Sequence, residues 1–215
     1  QEKKLKKVIV GMGGVSLDSK IVEASIVSPK GETEITHNDI SKAIDIAENN
    51  LPEMTNRRVL HRLAIDYKID GEKVLGHPVG LRGTRLEVRI LFITALSQHL
   101  KDLVQVTESA GLIIDDVVAS PLASSLASIT KNQKMSGCAL LDIGSQTTSL
   151  IIFEEGKTLT LQIFPLGSNE ITNDIALGFR ITPEEAERVK KGEGEPVGTK
   201  KKLDEIVEAR LSDIF

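Results

Sequence analysis

The stretch Ala139-Leu-Leu-Asp-Ile-Gly-Ser-Gln-Thr-Thr148 decides the fold: an aliphatic strand runs into an acid, a glycine turn and hydroxyl side chains, then resumes as Ser149-Leu-Ile-Ile-Phe153. A hairpin of this composition suits a phosphate and its magnesium ion. Asp142, at the end of the strand, is placed to hold a hydrated cation, while backbone N–H groups from Gly144 to Thr147 turn toward anionic oxygens. An acid followed by glycine is also an ordinary turn signal, so the surrounding segments carry the decision. A nucleotide gripped from two facing domains requires a second such hairpin, which these residues do not supply.

Downstream, Pro165-Leu-Gly-Ser-Asn-Glu-Ile-Thr-Asn-Asp-Ile-Ala176 sets a glycine turn, Gly167, and a capping hydroxyl before a helix, whose first N–H groups are expected to help bind an anion. Pro183-Glu-Glu-Ala-Glu-Arg-Val-Lys-Lys191 opens another helix with proline in its first turn. It places Glu187 and Lys190 one turn apart on one face.

Composition bounds the function. The 215 residues allow one large or two small domains, burying roughly 70% or more of the unfolded surface. Only 3% are aromatic and none is Trp, so the core is built from Ile, Leu, Val and Ala, and stacking on single-stranded nucleic acid is not expected. Twenty-seven basic against 31 acidic residues leave a net charge of −4, which gives a nucleic-acid backbone no basic field to follow. The single Cys138 cannot form an intramolecular disulfide, which suits a reducing compartment, and it reads as a packing residue. No run of about 18 apolar residues exists to span a bilayer, and no signal-peptide pattern is seen; the chain reads as cytoplasmic. It opens on Gln1-Glu-Lys-Lys-Leu-Lys-Lys7 just before a strand and stops at Leu211-Ser-Asp-Ile-Phe215 inside a helical pattern, so both ends read as truncations.

The first part reads as an α+β unit. Two strand-like runs within residues 8–27 flank Gly11, Gly13 and Gly14; a helix follows Thr36, with Asp39 three residues on and Ile40, Ala43, Ile44 and Ala47 at helical spacing. Residues 58–68 read as a strand, Asp70-Gly71 as a turn, and residues 85–95 as an alternating strand. Residues 1 to about 92 therefore form one compact unit in this reading. The second part alternates: helix 97–110, strand 113–119, helix 122–130, then strands 137–143, 149–154 and 159–164, the pattern of an α/β layered fold. Helices dominate from residue 169, interrupted by a flexible loop at Gly192-Glu-Gly-Glu-Pro-Val-Gly198.

Several motifs carry bland readings. Gly11-Met-Gly-Gly14 is no dinucleotide fingerprint, since its third glycine would fall at Ser16 and a strand follows; it reads as a bend that lets two backbones approach. His61 alternates within a strand without metal-ligand spacing to partners and reads as a packed residue. Ser124 and Ser125 lack a nucleophile elbow, and Lys200-Lys-Lys202 reads as a solvated helix entrance.

Taken in order, strand-Asp-Ile-Gly-x-x-Thr-Thr, Gly-x-x-x-Ile-Thr-x-Asp-Ile-Ala and Ala-Glu-x-Val-Lys resemble the actin and sugar-kinase ATPase superfamily. Val59-Leu-His61, Tyr67-x-Ile-Asp-Gly71, Pro78-Val-Gly-Leu-x-Gly83 and Leu86-Glu87 narrow this to the FtsA family of bacterial cell-division proteins. The resemblance implies an α/β fold of actin-like (ribonuclease H-like) domains with a small inserted α+β subdomain: residues 1–85 the insert, 86–132 the remainder of the first actin-like domain, 133–215 the start of the second. It implies ATP and magnesium as ligands, with Asp142 (holding magnesium through water), Gly144, Ser145, Gln146 and Thr147 at the phosphates, Gly167 beside them, and Glu187 and Lys190 at ribose and adenine. No catalytic residue is singled out, and turnover is at most slow. The implied protein lies peripherally on the inner face of the cell membrane through a C-terminal helix absent here, links the FtsZ ring to it, self-associates into filaments and recruits other division proteins through residues 1–85. Many family members carry glycine where this chain has Ser145 and Gln146, and a glutamine at the tip would crowd the phosphates, so these residues alone are expected to bind ATP poorly. The alternatives are a pilus-assembly protein of the PilM kind and a nucleotide-independent scaffold of the same fold. An active sugar kinase lacks a candidate base for a hydroxyl substrate.

Overall fold

The computed structural model describes residues 6–52, 54–194 and 199–214. The opening Gln1–Leu5 lysine cluster, the Glu195–Gly198 part of the expected flexible loop and Phe215 lie outside the described residues. The chain divides into two compact units, residues 1–140 with 150–162, and residues 141–149 with 163–215.

The first unit is built on a four-stranded antiparallel sheet of order β2-β7-β4-β5, formed by β2 (Leu17–Val27), β4 (Arg57–Ile69), β5 (Glu72–Val74) and β7 (Arg85–Leu96). β7 is the central strand: Leu86, Val88, Ile90 and Phe92 are almost wholly buried, and they pack with Ile40, Ala43 and Ala47 of α1 (His37–Asn49). The helix starts where the sequence predicts, because Thr36 and Asp39 close a reciprocal capping box. β7 pairs with β2 from Arg85 to Ala95 and with β4 from Leu86 to Leu96, so one sheet joins strands from both sides of residue 85.

The loop between β5 and β7 explains the Pro-Val-Gly-Leu-Arg-Gly segment. Asp70 and Gly71 turn with positive φ of 50° and 89°, and the Asp70 carboxylate accepts the N–H groups of Thr84 and Arg85, the latter at 2.7 Å. A Cβ on Gly83 would come within 2.1 Å of the Ile69 side chain, so only glycine fits beneath this turn. β3 (Thr33–Glu34) and β6 (Arg82–Gly83) form a short ladder beside it.

β1 (Lys7–Met12) differs from the expectation that it shares this unit's sheet. It pairs in parallel with β8 (Ile113–Ala119), a partner 106 residues away at Lys7↔Ile113. The glycines at its end make room for a side chain and not for a second backbone: Cβ atoms at Gly11 and Gly13 would meet the Ser120 hydroxyl at 3.0 and 3.2 Å. α2 (Ser97–Ser109) and α3 (Ser120–Ser128) match the predicted helices, while α4 (Lys131–Ser136) is an added short helix under its own Thr130–Gln133 capping box. Ser125 donates to Leu122 O and accepts from Lys134, a packing role. His61, in β4, accepts the Ala119 N–H on Nε2 at 3.0 Å. Burial holds its pKa below the ordinary value, against the opposing pull of Asp116.

A meander of β9 (Cys138–Ile143), β10 (Thr148–Glu154) and β11 (Lys157–Phe164) forms a sheet of order β11-β10-β9. The second unit takes from it the turn between β9 and β10 and adds α5 (Ser168–Phe179), α6 (Pro183–Lys190) and α7 (Lys200–Ile214). Ile175, Ala186 and Val189 make its small core, with Leu203, Ile206 and Val207 of α7 against them. Gly178 lets α7 approach, since a Cβ there would stand 2.5 Å from Ile206. Lys202 is not merely solvated: its ammonium donates to Gly178 O at 2.7 Å, near the end of α5, and Arg210 forms a two-pronged pair with Asp174. Among the described residues no helix is long and apolar enough to cross a membrane.

Candidate functional site

All eight sequence-derived site residues fall in the second unit, where they form two groups. The first is the hairpin. Asp142 is exposed near the end of β9, Gly144 donates its N–H to Thr147 O at 2.9 Å to close the turn, and Ser145 and Gln146 form the exposed tip. Neither tip residue takes positive φ, so the turn accommodates side chains at both positions without backbone strain. Thr147 is half-buried. Thr148 turns inward and is buried, its hydroxyl donating to Leu166 O at 2.8 Å, which ties the following loop to the hairpin.

The N-terminus of α5 departs from the expectation of an open anion site. Ser168 N–H donates to Gly144 O at 2.9 Å and Asn169 N–H to Ser145 O at 2.8 Å. The hairpin's own carbonyls therefore satisfy two of the amides that a helix start leaves unpaired. Gly167 makes this seam possible: a Cβ there would lie 2.5 Å from Ser145 O and 2.7 Å from Gly144 O. Its role is close approach of two backbones. The sequence assigns this glycine and the adjoining amides to a ligand, because carbonyls presented by a turn leave no signature in side chains.

The second group lies between α5 and α6. A capping box of Thr182 and Glu185, with Pro183 at the first turn, fixes where α6 begins. Helical spacing then brings Glu187 and Lys190 together, Lys190 Nζ standing 2.6 Å from Glu187 Oε2. Both reach back to α5: Thr172 Oγ1 lies 2.6 Å from Glu187 Oε2 and 2.7 Å from Lys190 Nζ, which also donates to Ser168 O at 3.1 Å. Lys190 and then Thr172 hold the Glu187 carboxyl at a pKa of about 2, against burial and with help from Lys191. The carboxylate is 35% exposed and the lysine 17%, so solvent still reaches the acid. Thr172 is the residue that sequence reasoning leaves without a role. Its signal is a hydroxyl on the inward face of a helix, four residues after Ser168 and three before buried Ile175.

Chemically, the hairpin offers a carboxylate with hard oxygen donors, suited to a hydrated divalent cation. The second group offers an ionised acid whose geometry is fixed by neighbours, suited to accepting hydrogen bonds from hydroxyl groups. Among the described residues no group of three or more His, Cys, Asp or Glu is arranged to hold a metal ion, so any cation would share its ligands with water and a bound anion.

The model for the family described as "Cell division protein FtsA" matches residues 139–213, and that for "SHS2 domain inserted in FTSA" matches residues 14–94. The chain is 32% identical over 208 residues to the cell division protein FtsA of Bacillus subtilis, spanning 96% of this chain and 47% of that protein. It is 31% identical over 180 residues to the FtsA of Escherichia coli K12, spanning 84% of this chain and 43% of that protein. The chain thus spans about half the length of the curated relatives it matches. Among solved structures it is similar to a chain of the "PilM-PilN type IV pilus biogenesis complex", with a TM-score of 0.68 at 16% identity over 99% of this chain and 56% of the other. At that identity the likeness is one of fold, and it carries the expected actin-like architecture with an inserted α+β domain.

Proposed function

From the premise that the chain belongs to the FtsA family of cell-division proteins, we propose that it contributes half of an ATP·Mg²⁺ site to an actin-like assembly protein of the division ring. The observation that carries this reading is the pairing, in one compact unit, of the Asp142–Thr147 hairpin with the Glu187–Lys190 group. In this reading Asp142 holds magnesium through water, and Gly144, Ser145, Gln146 and Thr147 border the phosphates. Gly167 supports the tip from behind, and the α6 group meets the nucleoside. Magnesium, when bound, would neutralise phosphate charge. The chain's own residues orient the nucleotide; none is assigned as a base, so turnover is slow or absent.

The wider role follows from the family and not from these residues: a peripheral protein on the cytoplasmic face of the membrane that links FtsZ to it, self-associates, and meets further division proteins through the inserted domain. The test is binding of fluorescent ATP to the intact protein with and without Mg²⁺. Saturable Mg²⁺-dependent binding that is lost in Asp142→Ala supports the site. Absence of binding, in a protein that still recruits its partners, would favour a nucleotide-independent scaffold, a reading to which the engaged amides of α5 also lend support. The PilM likeness is confined to fold. Growth of a depletion strain as undivided filaments, rather than loss of pili, separates those two roles.

A further inference from the structure

The Lys190 ammonium has three N–H groups, and it has three acceptors around it: Ser168 O at 3.1 Å, Thr172 Oγ1 at 2.7 Å and Glu187 Oε2 at 2.6 Å. Every donor it owns therefore has a partner within the protein. Thr172 Oγ1, which accepts from this lysine, has Glu187 Oε2 at 2.6 Å as the nearer acceptor for its own hydrogen, against Ser168 O at 3.4 Å. One carboxylate oxygen is thus gripped twice from α5 and α6. Among the described residues the other, Oε1, meets Lys191 at 3.3 Å, on a side chain 55% exposed and easily displaced.

We propose that Thr172 is a positioning residue of the nucleotide site: its hydroxyl and the Lys190 ammonium together lock Glu187, so that the carboxylate oxygen Oε1 meets the sugar hydroxyls and Lys190 makes no ligand contact. The inference rests on the ATP reading above and sharpens it. Lys190 changes from a nucleoside contact to part of the clamp. The two helices become one recognition element, because the acid sits on α6 and the hydroxyl that aims it sits on α5. The depressed pKa of Glu187 is consistent with such a grip.

The experiment compares ATP with 2′,3′-dideoxy-ATP, which lacks the hydroxyls, on the intact protein. Wild type should prefer ATP by roughly ten-fold, the scale of a hydrogen bond to a charged acceptor. Thr172→Val and Lys190→Met should bring that ratio close to one. Thr172→Ser should restore it, and Lys191→Met should leave it unchanged. Equal weakening toward both nucleotides in Thr172→Val would overturn the proposal, since that is the signature of mere structural damage, as would a wild type that binds both alike. Carboxyl NMR of Glu187 supplies a readout that needs no nucleotide. In Thr172→Val its pKa should rise from about 2 toward the ordinary 4.5, and an unmoved titration would overturn the clamp. A wild type that binds neither nucleotide sinks the ATP reading, while a risen Glu187 pKa would still uphold the positioning role of Thr172.

Discussion

At the scale of single residues, glycine and titratable groups make the sharpest statements. Gly167 lies in ordinary extended backbone, φ −157°, so its requirement is space and not conformation. Gly167→Ala pushes a methyl into the hairpin carbonyls and should cost about 1–3 kcal/mol, the usual penalty of overpacking, read as a fall in the urea midpoint at unchanged slope. Acid should act in two separate windows, the first through His61 and the second most strongly through Glu187. His61 has its pKa lowered in the folded chain because burial disfavours its charge. The unfolded chain therefore binds the proton more readily, and stability falls as pH drops below about 6.5. Glu187, held at about 2 when folded, contributes stability that is full above its ordinary value of 4.5 and is lost as pH falls from there toward the folded value. Urea midpoints measured from pH 7.5 to 3 should show the first loss in wild type and not in His61→Gln, whose amide still offers an acceptor. The second loss should be smaller, not absent, in Glu187→Gln, because the Thr36 and Thr182 hydrogen bonds also hold Asp39 and Glu185 below their ordinary values.

At the scale of elements, local chemistry fixed what could be read in advance. Thr36 with Asp39 announces α1, since a hydroxyl and an acid three residues apart satisfy backbone donors wherever they stand, and Pro183 announces α6, whose Thr182–Glu185 capping box the structure adds. Thr36→Ala should lower stability by about 1 kcal/mol while Thr36→Ser changes it little, measured by thermal melting followed at 222 nm. β7 was legible from its alternating Leu86, Val88, Ile90 and Phe92. The β1 partner was not: parallel pairing across more than a hundred residues depends on no adjacent turn, and both runs look equally like strands. α4 escaped because six residues are too few to show a period. In the site, Asp142, Gly167, Glu187 and Lys190 were visible as motif letters. The geometry that assigns them work was not, because it resides in carbonyls and in the hydroxyls of Thr148 and Thr172, whose side chains turn inward.

At the scale of the molecule, the chain spans about half of the curated relatives it matches, and its site is expected to behave as half a grip. MgATP should stabilise the intact protein by up to about 2.7 kcal/mol at a hundred-fold excess over Kd, read as a raised melting midpoint. Residues 1–215 alone should respond far less. An equal shift in both would mean that the opposing half contributes little. The seam between the hairpin tip and α5 also carries a built-in gauge. Because the Ser168 and Asn169 amides end on Gly144 O and Ser145 O, they exchange with solvent deuterium only when tip and helix part. Their protection, followed by mass spectrometry, reports how often the tip opens, and an unlabelled anion settling there would be seen as slower exchange at two backbone positions it never touches.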